Sequence, residues 1–200
     1  MRRTLTTLLL AALAATGACR SDKVESPEPT VPTAPSTSTI AATGTTAPDP
    51  FAVPDKIDAA YVDRVLVALN KVYGDVARKV ITTSRFDRND LDPLGAIFNP
   101  PLLDIQAQLF VDIPDTDPSL FKKPIGYRVM TVLEVITARS DCIYAKIRLD
   151  VSEVLVTPPS NKEKYVTLGL KPADADPSGI NPTPWAMAGE SSAREDSCAG

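Results

Sequence analysis

The chain has 200 residues, 44% of them hydrophobic and 23% charged, which is room for one hydrophobic core with tails. Its formal net charge of −4 excludes the dense basic surface that nucleic acid requires of a partner. It contains no histidine, so imidazole is excluded as general base, zinc ligand or triad member, and most hydrolase mechanisms go with it.

Met1-Arg2-Arg3 is a short basic start, and the apolar run from Leu5 to Ala15 follows it, the layout of a secretory signal. The run falls well short of the roughly 20 residues a transmembrane helix needs. At its end Thr16-Gly17-Ala18-Cys19 resembles a bacterial lipobox, in which two small residues precede a lipidated cysteine; Thr16 stands where leucine is usual. The resemblance implies a signal peptide over 1–18 and acyl chains on Cys19. It also implies anchoring to the extracytoplasmic face of the cell membrane, two or more chains making the attachment durable. An ordinary secretory signal cut near Ala12 to Ala15 is the alternative. Loss of Arg2 and Arg3 with the leader makes the remaining chain two units more negative.

After Cys19, residues 20–54 are rich in Pro, Thr, Ser and Ala, as in Ser26-Pro27-Glu28-Pro29-Thr30, without apolar periodicity. Such a stretch buries too little surface to offset its ordering entropy, so 19–54 is expected to be a lipidated, disordered tether. It serves as a spacer, or as a carrier of O-glycans if its composition is used that way.

The folded domain is expected over 55–190, with 191–200 as a C-terminal tail. Asp55 caps a first helix in which Ile57, Tyr61, Val65, Leu66, Leu69, Val72, Tyr73, Val76 and Val80 recur at threes and fours. Asp63, Asn70, Lys71 and Asp75 fall on its polar face, and Gly74 permits a bend. A short helix over 90–98 follows, and Asn99 caps a third through Leu102, Ile105, Gln106, Leu109 and Phe110.

Beyond residue 126 the period changes to two. Residues 127–137 read as a strand, Ser140-Asp141 as a turn, and the next run alternates. Ile143, Ala145, Ile147, Leu149 and Val151 face one side, while Tyr144, Lys146, Arg148 and Asp150 face the other with Arg128 and Glu134 nearby. Residues 164–170 and 185–190 supply a third and a fourth strand. Helices followed by a meander give an α+β fold, with N-terminal helices packed on a curved antiparallel sheet of about four strands.

This order resembles the NTF2-like (cystatin-like) superfamily, in particular the small uncharacterised NTF2-like lipoproteins of high-GC Gram-positive bacteria. The likeness rests on Ala68-Leu69-Asn70-Lys71-Val72-Tyr73-Gly74-Asp75, on the hairpin, and on Ile180-Asn181-Pro182-Thr183-Pro184-Trp185. It implies a conical pocket between helices and bent sheet, and no activity.

With Cys19 acylated, Cys142 and Cys198 remain in an oxidising compartment and are expected to pair, closing a loop of about 55 residues. The alternative leaves Cys198 free. Two distant thiols without histidine make no metal shell, and no cofactor is expected. Tyr61, Tyr127 and Trp185 are the candidate pocket residues, Trp185 either a stacking platform or a core plug. An isomerase or dehydratase would need a carboxylate and a tyrosine from Asp63, Tyr61, Tyr127, Tyr144 and Glu134. Each also has a structural role open to it, Asp63 on a solvated helix face and Glu134 paired with Lys146 or Arg148. The leading expectation is a non-catalytic envelope module for a protein partner or a small apolar ligand. Carriage of a lipid or envelope precursor comes second, and an Asp/Tyr enzyme third.

Overall fold

The computed structural model describes residues 49–198 apart from 161, 173–175 and 177. The leader, Cys19 and most of the Pro/Thr/Ser-rich segment lie outside the described residues. None of the described helices is long and apolar enough to cross a membrane.

The apolar stripe of the first helix folds as α1, Ala59–Thr83. Its N-cap is Asp58 rather than Asp55. The extended backbone of Asp58 lets its carboxylate accept the Tyr61 N–H at 2.8 Å, a cap whose loss typically costs about 1 kcal/mol. The helix ends at Ser84, left-handed at φ 49°, which donates its N–H to the Val80 carbonyl. Phe51 and Ile57 pack on the core, and the Phe51 carbonyl accepts the Tyr61 hydroxyl at 3.0 Å. The folded part therefore starts ahead of residue 55.

Two shorter helices follow, α2 at Leu91–Ile97 and α3 at Leu102–Asp112. Pro101, not Asn99, is the N-cap of α3, and no side chain caps it. Asn99 instead donates its backbone N–H to the Met187 carbonyl at 2.9 Å.

The sheet is an open antiparallel meander in the order β1 (Val129–Ala138), β2 (Cys142–Asp150), β3 (Glu163–Leu170), β4 (Trp185–Ser191). Ile143, Ala145 and Ile147 are fully buried beneath the helices, and Val166, Leu168, Trp185 and Met187 continue that face. At roughly 1.5–3 kcal/mol for each large side chain removed from water, this layer supplies most of the driving force.

Both sheet edges are blunted, as an open sheet requires. On β1, two register shifts, around Leu133 and Ile136, break the ladder, and the Asp63 carboxylate reaches from α1 to accept the Val132 N–H at 2.8 Å. Asp63 is thus a sheet-edge partner rather than a solvated helix residue. On β4, Phe98 forms an isolated bridge to Met187.

The outer face of the sheet is only partly solvated. Residues 192–198 run back across it: Glu195 N–H bonds the Tyr144 hydroxyl at 2.8 Å, Asp196 accepts from Thr137 at 2.6 Å, and Ser197 meets Thr167 at 3.1 Å. Cys198 is joined to Cys142, with Sγ–Sγ 2.04 Å. Tyr144, which alternation assigns to the solvent side, is 1% exposed as a result.

Candidate functional site

A cavity of about 300 Å³ opens between α1, α3 and the inner face of the sheet. Tyr73 and Ala77 of α1, Leu109 of α3, and Leu149 and Val151 at the end of β2 make its walls predominantly apolar. The remaining wall comes from the connection between α3 and β1, which is laid alongside residues 153–156. Lys122 donates to the Val154 carbonyl at 2.9 Å, Val156 to Leu120 at 2.9 Å, and Gly126 to Glu153 at 2.8 Å. Gly126 is required there, since a Cβ would stand 2.6 Å from the Cβ of Glu153 and 2.9 Å from its carbonyl oxygen.

Three polar side chains reach into this apolar space, each for a different local reason. Arg128 precedes β1 and shares the parity of Met130 and Val132, whose partners Leu149 and Ile147 are on the inner face. Its guanidinium is turned inward and buried, stacked 3.5 Å over the Tyr73 ring, with Nε donating to Asn70 Oδ1 at 2.7 Å. Arg128 and Asn70 are therefore not members of a solvated sheet surface and a polar helix face.

Gln106 lies in the middle of the buried stripe of α3, one turn from Leu102 and one from Phe110, and is 6% exposed. Its helix neighbour Ile105 is 56% exposed, so this helix turns an amide inward and an aliphatic side chain outward.

Glu190 is turned by a bulge. In β4, Met187 opposes Leu168 but Gly189 opposes Thr167, so Ala188 is the extra residue. Glu190 then opposes Val166, on the same inner face as Trp185 and Met187, whereas simple alternation would turn it outward.

Within the cavity the charges are poorly paired. Arg128 Nη2, Gln106 Oε1 and Glu190 Oε2 are buried without hydrogen-bond partners, and among the described residues these are the side-chain atoms of which that is true. All three residues line the same cavity. Burial lowers the proton affinity of Arg128, an effect opposed by Tyr73 and Glu190. The guanidinium remains charged. Burial also raises the Tyr73 phenol, with Arg128 working against the rise.

The residues expected in the pocket lie elsewhere. Tyr61 and Trp185 are 1% and 0% exposed, and Trp185 Nε1 donates to the Tyr61 hydroxyl at 2.8 Å, so both are core plugs. Asn181 and Thr183 fix the chain leading into β4, Asn181 Nδ2 donating to the Ala96 and Trp185 carbonyls at 2.9 and 2.7 Å. Tyr127 packs flat over Gly74, where a Cβ would come within 2.7 Å of its Cε1. The hydroxyl of Tyr127 donates to Asp75 at 2.6 Å, and its ring helps line a separate surface hollow beside Val67 and Met130. Helix α1 runs through Gly74 unbroken, so the glycine serves that contact and not a bend.

The Asp/Tyr pairing of an isomerase is not assembled. Asp63 is held by β1, Tyr144 by the tail, and Glu134 stands opposite Lys146 in register while Lys146 pairs with Glu163 at 2.7 Å. Arg128, Gln106 and Glu190 were open to a sequence reading only in part. Parity marks Arg128, and a lone amide in a buried helical stripe marks Gln106. The bulge that turns Glu190 carries no clear sequence mark. Among the described residues no group of three or more His, Cys, Asp or Glu could hold a metal ion. Comparison of the chain with protein-family models, curated proteins and solved structures returns no match.

Proposed function

We propose that this chain is a lipid-anchored extracytoplasmic module of NTF2-like form that binds a small amphipathic ligand and performs no chemistry on it. The observation that carries the reading is that three of the residues lining one apolar cavity each hold a buried polar atom without a partner. Each unpaired group costs about 1–3 kcal/mol, so together they rival the total stability of an ordinary domain. A fold keeps such a cost where a ligand makes use of it. The NTF2-like form is supported by helices that precede an antiparallel meander and by a cavity walled by both. The anchor is supported by the lipobox-like Thr16-Gly17-Ala18-Cys19.

Cavity volume ranks the alternatives. About 300 Å³ equals some ten water molecules at roughly 30 Å³ each, too little for a two-chain lipid, so carriage of envelope lipids falls behind. A second reading rests on Glu190: a half-buried carboxylate with one unpaired oxygen, in the cavity that Arg128 also lines, could act as a general base. In that case E190Q would bind the ligand and fail to turn it over.

The test is mass spectrometry of the chain extracted from its native membrane. Denatured, it should weigh as a chain starting at Cys19 with two or three acyl chains. Under native conditions it should carry one further small molecule, lost in a cavity-filling Ala77→Phe variant. An unacylated chain cut elsewhere sinks the anchor. A native mass without any bound molecule, identical in Ala77→Phe, sinks the ligand.

A further inference from the structure

A second space adjoins the apolar cavity, and together the two narrow the ligand-binding reading on which this inference rests. A hollow of about 590 Å³ opens where the last turns of α1, with Arg78, Thr82 and Ser84, meet Lys122 and Lys123 of the connection between α3 and β1. Ile81, Phe121 and Ile125 line this hollow and line the cavity as well. All three are half-buried, so the wall that the two spaces share is made of aliphatic and aromatic side chains.

Charge distinguishes the two spaces. Arg78, Lys122 and Lys123 line the hollow, and no carboxylate does. Arg78 stands 3.2 Å from Asp75 and Lys122 3.9 Å from Glu153, exposed pairs of the kind worth about 0–1 kcal/mol, and Lys123 has no ion pair among the described residues. In a chain of net charge −4, three cations beside the hydroxyls of Thr82 and Ser84 favour an anion. The negative end of α1 meets the same hollow and favours cations, which makes a cationic amphiphile the sharpest competitor.

The cavity offers the opposite chemistry. Ala77, Leu109, Leu149 and Leu155 wall it, and the charges of Arg128 and Glu190 cancel. At the roughly 30 Å³ a water occupies in the liquid, its volume of about 300 Å³ admits about ten carbon atoms. We propose that the ligand is a single-chain amphiphile with a compact anionic head, a fatty carboxylate of about eight to ten carbons or its equivalent. Arg78, Lys122 and Lys123 hold the head, and the chain passes between Ile81, Phe121 and Ile125 into the cavity.

The test uses the full chain reconstituted in phosphatidylcholine vesicles. Protection against thermal unfolding is followed by Trp185, the one tryptophan of the sequence, against the free concentration of octanoate, octylamine or 1-octanol. Octanoate should protect saturably and ahead of octylamine. Lys122→Gln combined with Lys123→Gln should raise the octanoate concentration required by about tenfold or more and leave 1-octanol within about twofold. Ala77→Phe, which fills the cavity, should abolish protection by both. Should that variant not fold, the acids from butanoate to octanoate give the same information, since each buried methylene should strengthen protection about fourfold. Octylamine protecting at least as well as octanoate, or octanoate responding to the double variant no more than 1-octanol does, overturns the anionic head and leaves ligand binding intact. Octanoate protection that survives Ala77→Phe, or that does not grow with chain length, leaves the anion on the surface alone and overturns the passage into the cavity. No saturable protection by any probe overturns the ligand-binding reading as well.

Discussion

Replacing both Cys142 and Cys198 with alanine should cost this fold about as much as a large-to-small substitution in the core of the sheet. The two cysteines are 56 residues apart in sequence. Closing a loop of that length removes about 14 cal/mol/K from the unfolded chain, or about 4 kcal/mol at 25 °C. The tail then loses its tie at the end, where Arg139 Nη1 also grips the Cys198 carbonyl at 2.9 Å. Bonds from Glu195, Asp196 and Ser197 to the outer face, each worth about 0.5–1.5 kcal/mol net, must then hold the tail unaided. In a chain of this size 1 kcal/mol moves the melting temperature by about 2–4 °C, so the double variant should melt about 8–16 °C lower. Thermal unfolding followed by Trp185 fluorescence gives the number, and a variant ending at Ser191 separates the bond from the tail contacts. If the double alanine variant melts within about 2 °C of the parent, the tail is not a strap and the loop-entropy argument fails.

Gln106→Leu removes an unpaired buried acceptor, so it should stabilise the chain by about 1–3 kcal/mol in urea titration, and an unchanged or lower midpoint would count against the cost assigned to that atom. Trp185→Phe and Tyr61→Phe share one buried hydrogen bond; a double-mutant cycle on unfolding free energy should return a coupling of about 1 kcal/mol, and additive effects would count against it. Asp75 is held below the ordinary carboxylate range, first by Lys71 and then by Tyr127. Its folded form therefore binds protons more weakly than its unfolded form. The stability it adds is complete above about pH 5 and fades as pH falls through the ordinary carboxylate value toward the lowered one. Asp75→Asn should accordingly lose less urea resistance than the parent between neutral pH and about pH 3.

Much of the architecture can be read directly from periodicity, because burial on one face imposes it. Tyr61, Val65, Leu69, Val76 and Val80 mark α1, and Ile143, Ala145 and Ile147 mark β2. The caps are harder to read: Asp55 and Asp58 are the same residue type three apart, and only tertiary packing of Phe51 and Ile57 selects the second. Tyr144 is misread for a different reason, since alternation names the outer face but not the returning tail that covers it. The cavity is the least legible part. Charged and amide side chains are assigned to solvent by default, and Arg128, Gln106 and Glu190 each break that default.

The extra residue in β4 separates two jobs within a seven-residue strand. Ahead of Ala188 the strand seals the core with Trp185 and Met187; beyond it, the strand delivers a carboxylate to the cavity. Deleting Ala188 would leave that division intact, because Met187, Gly189 and Glu190 would then alternate plainly against Leu168, Thr167 and Val166. Closing the bulge without losing a residue would not: Ala188 would oppose Thr167, and Glu190 would pass to the opposite side of the sheet while Trp185 and Met187 kept their places. The charge balance of the cavity thus hangs on the bulge itself and not on the length of the strand.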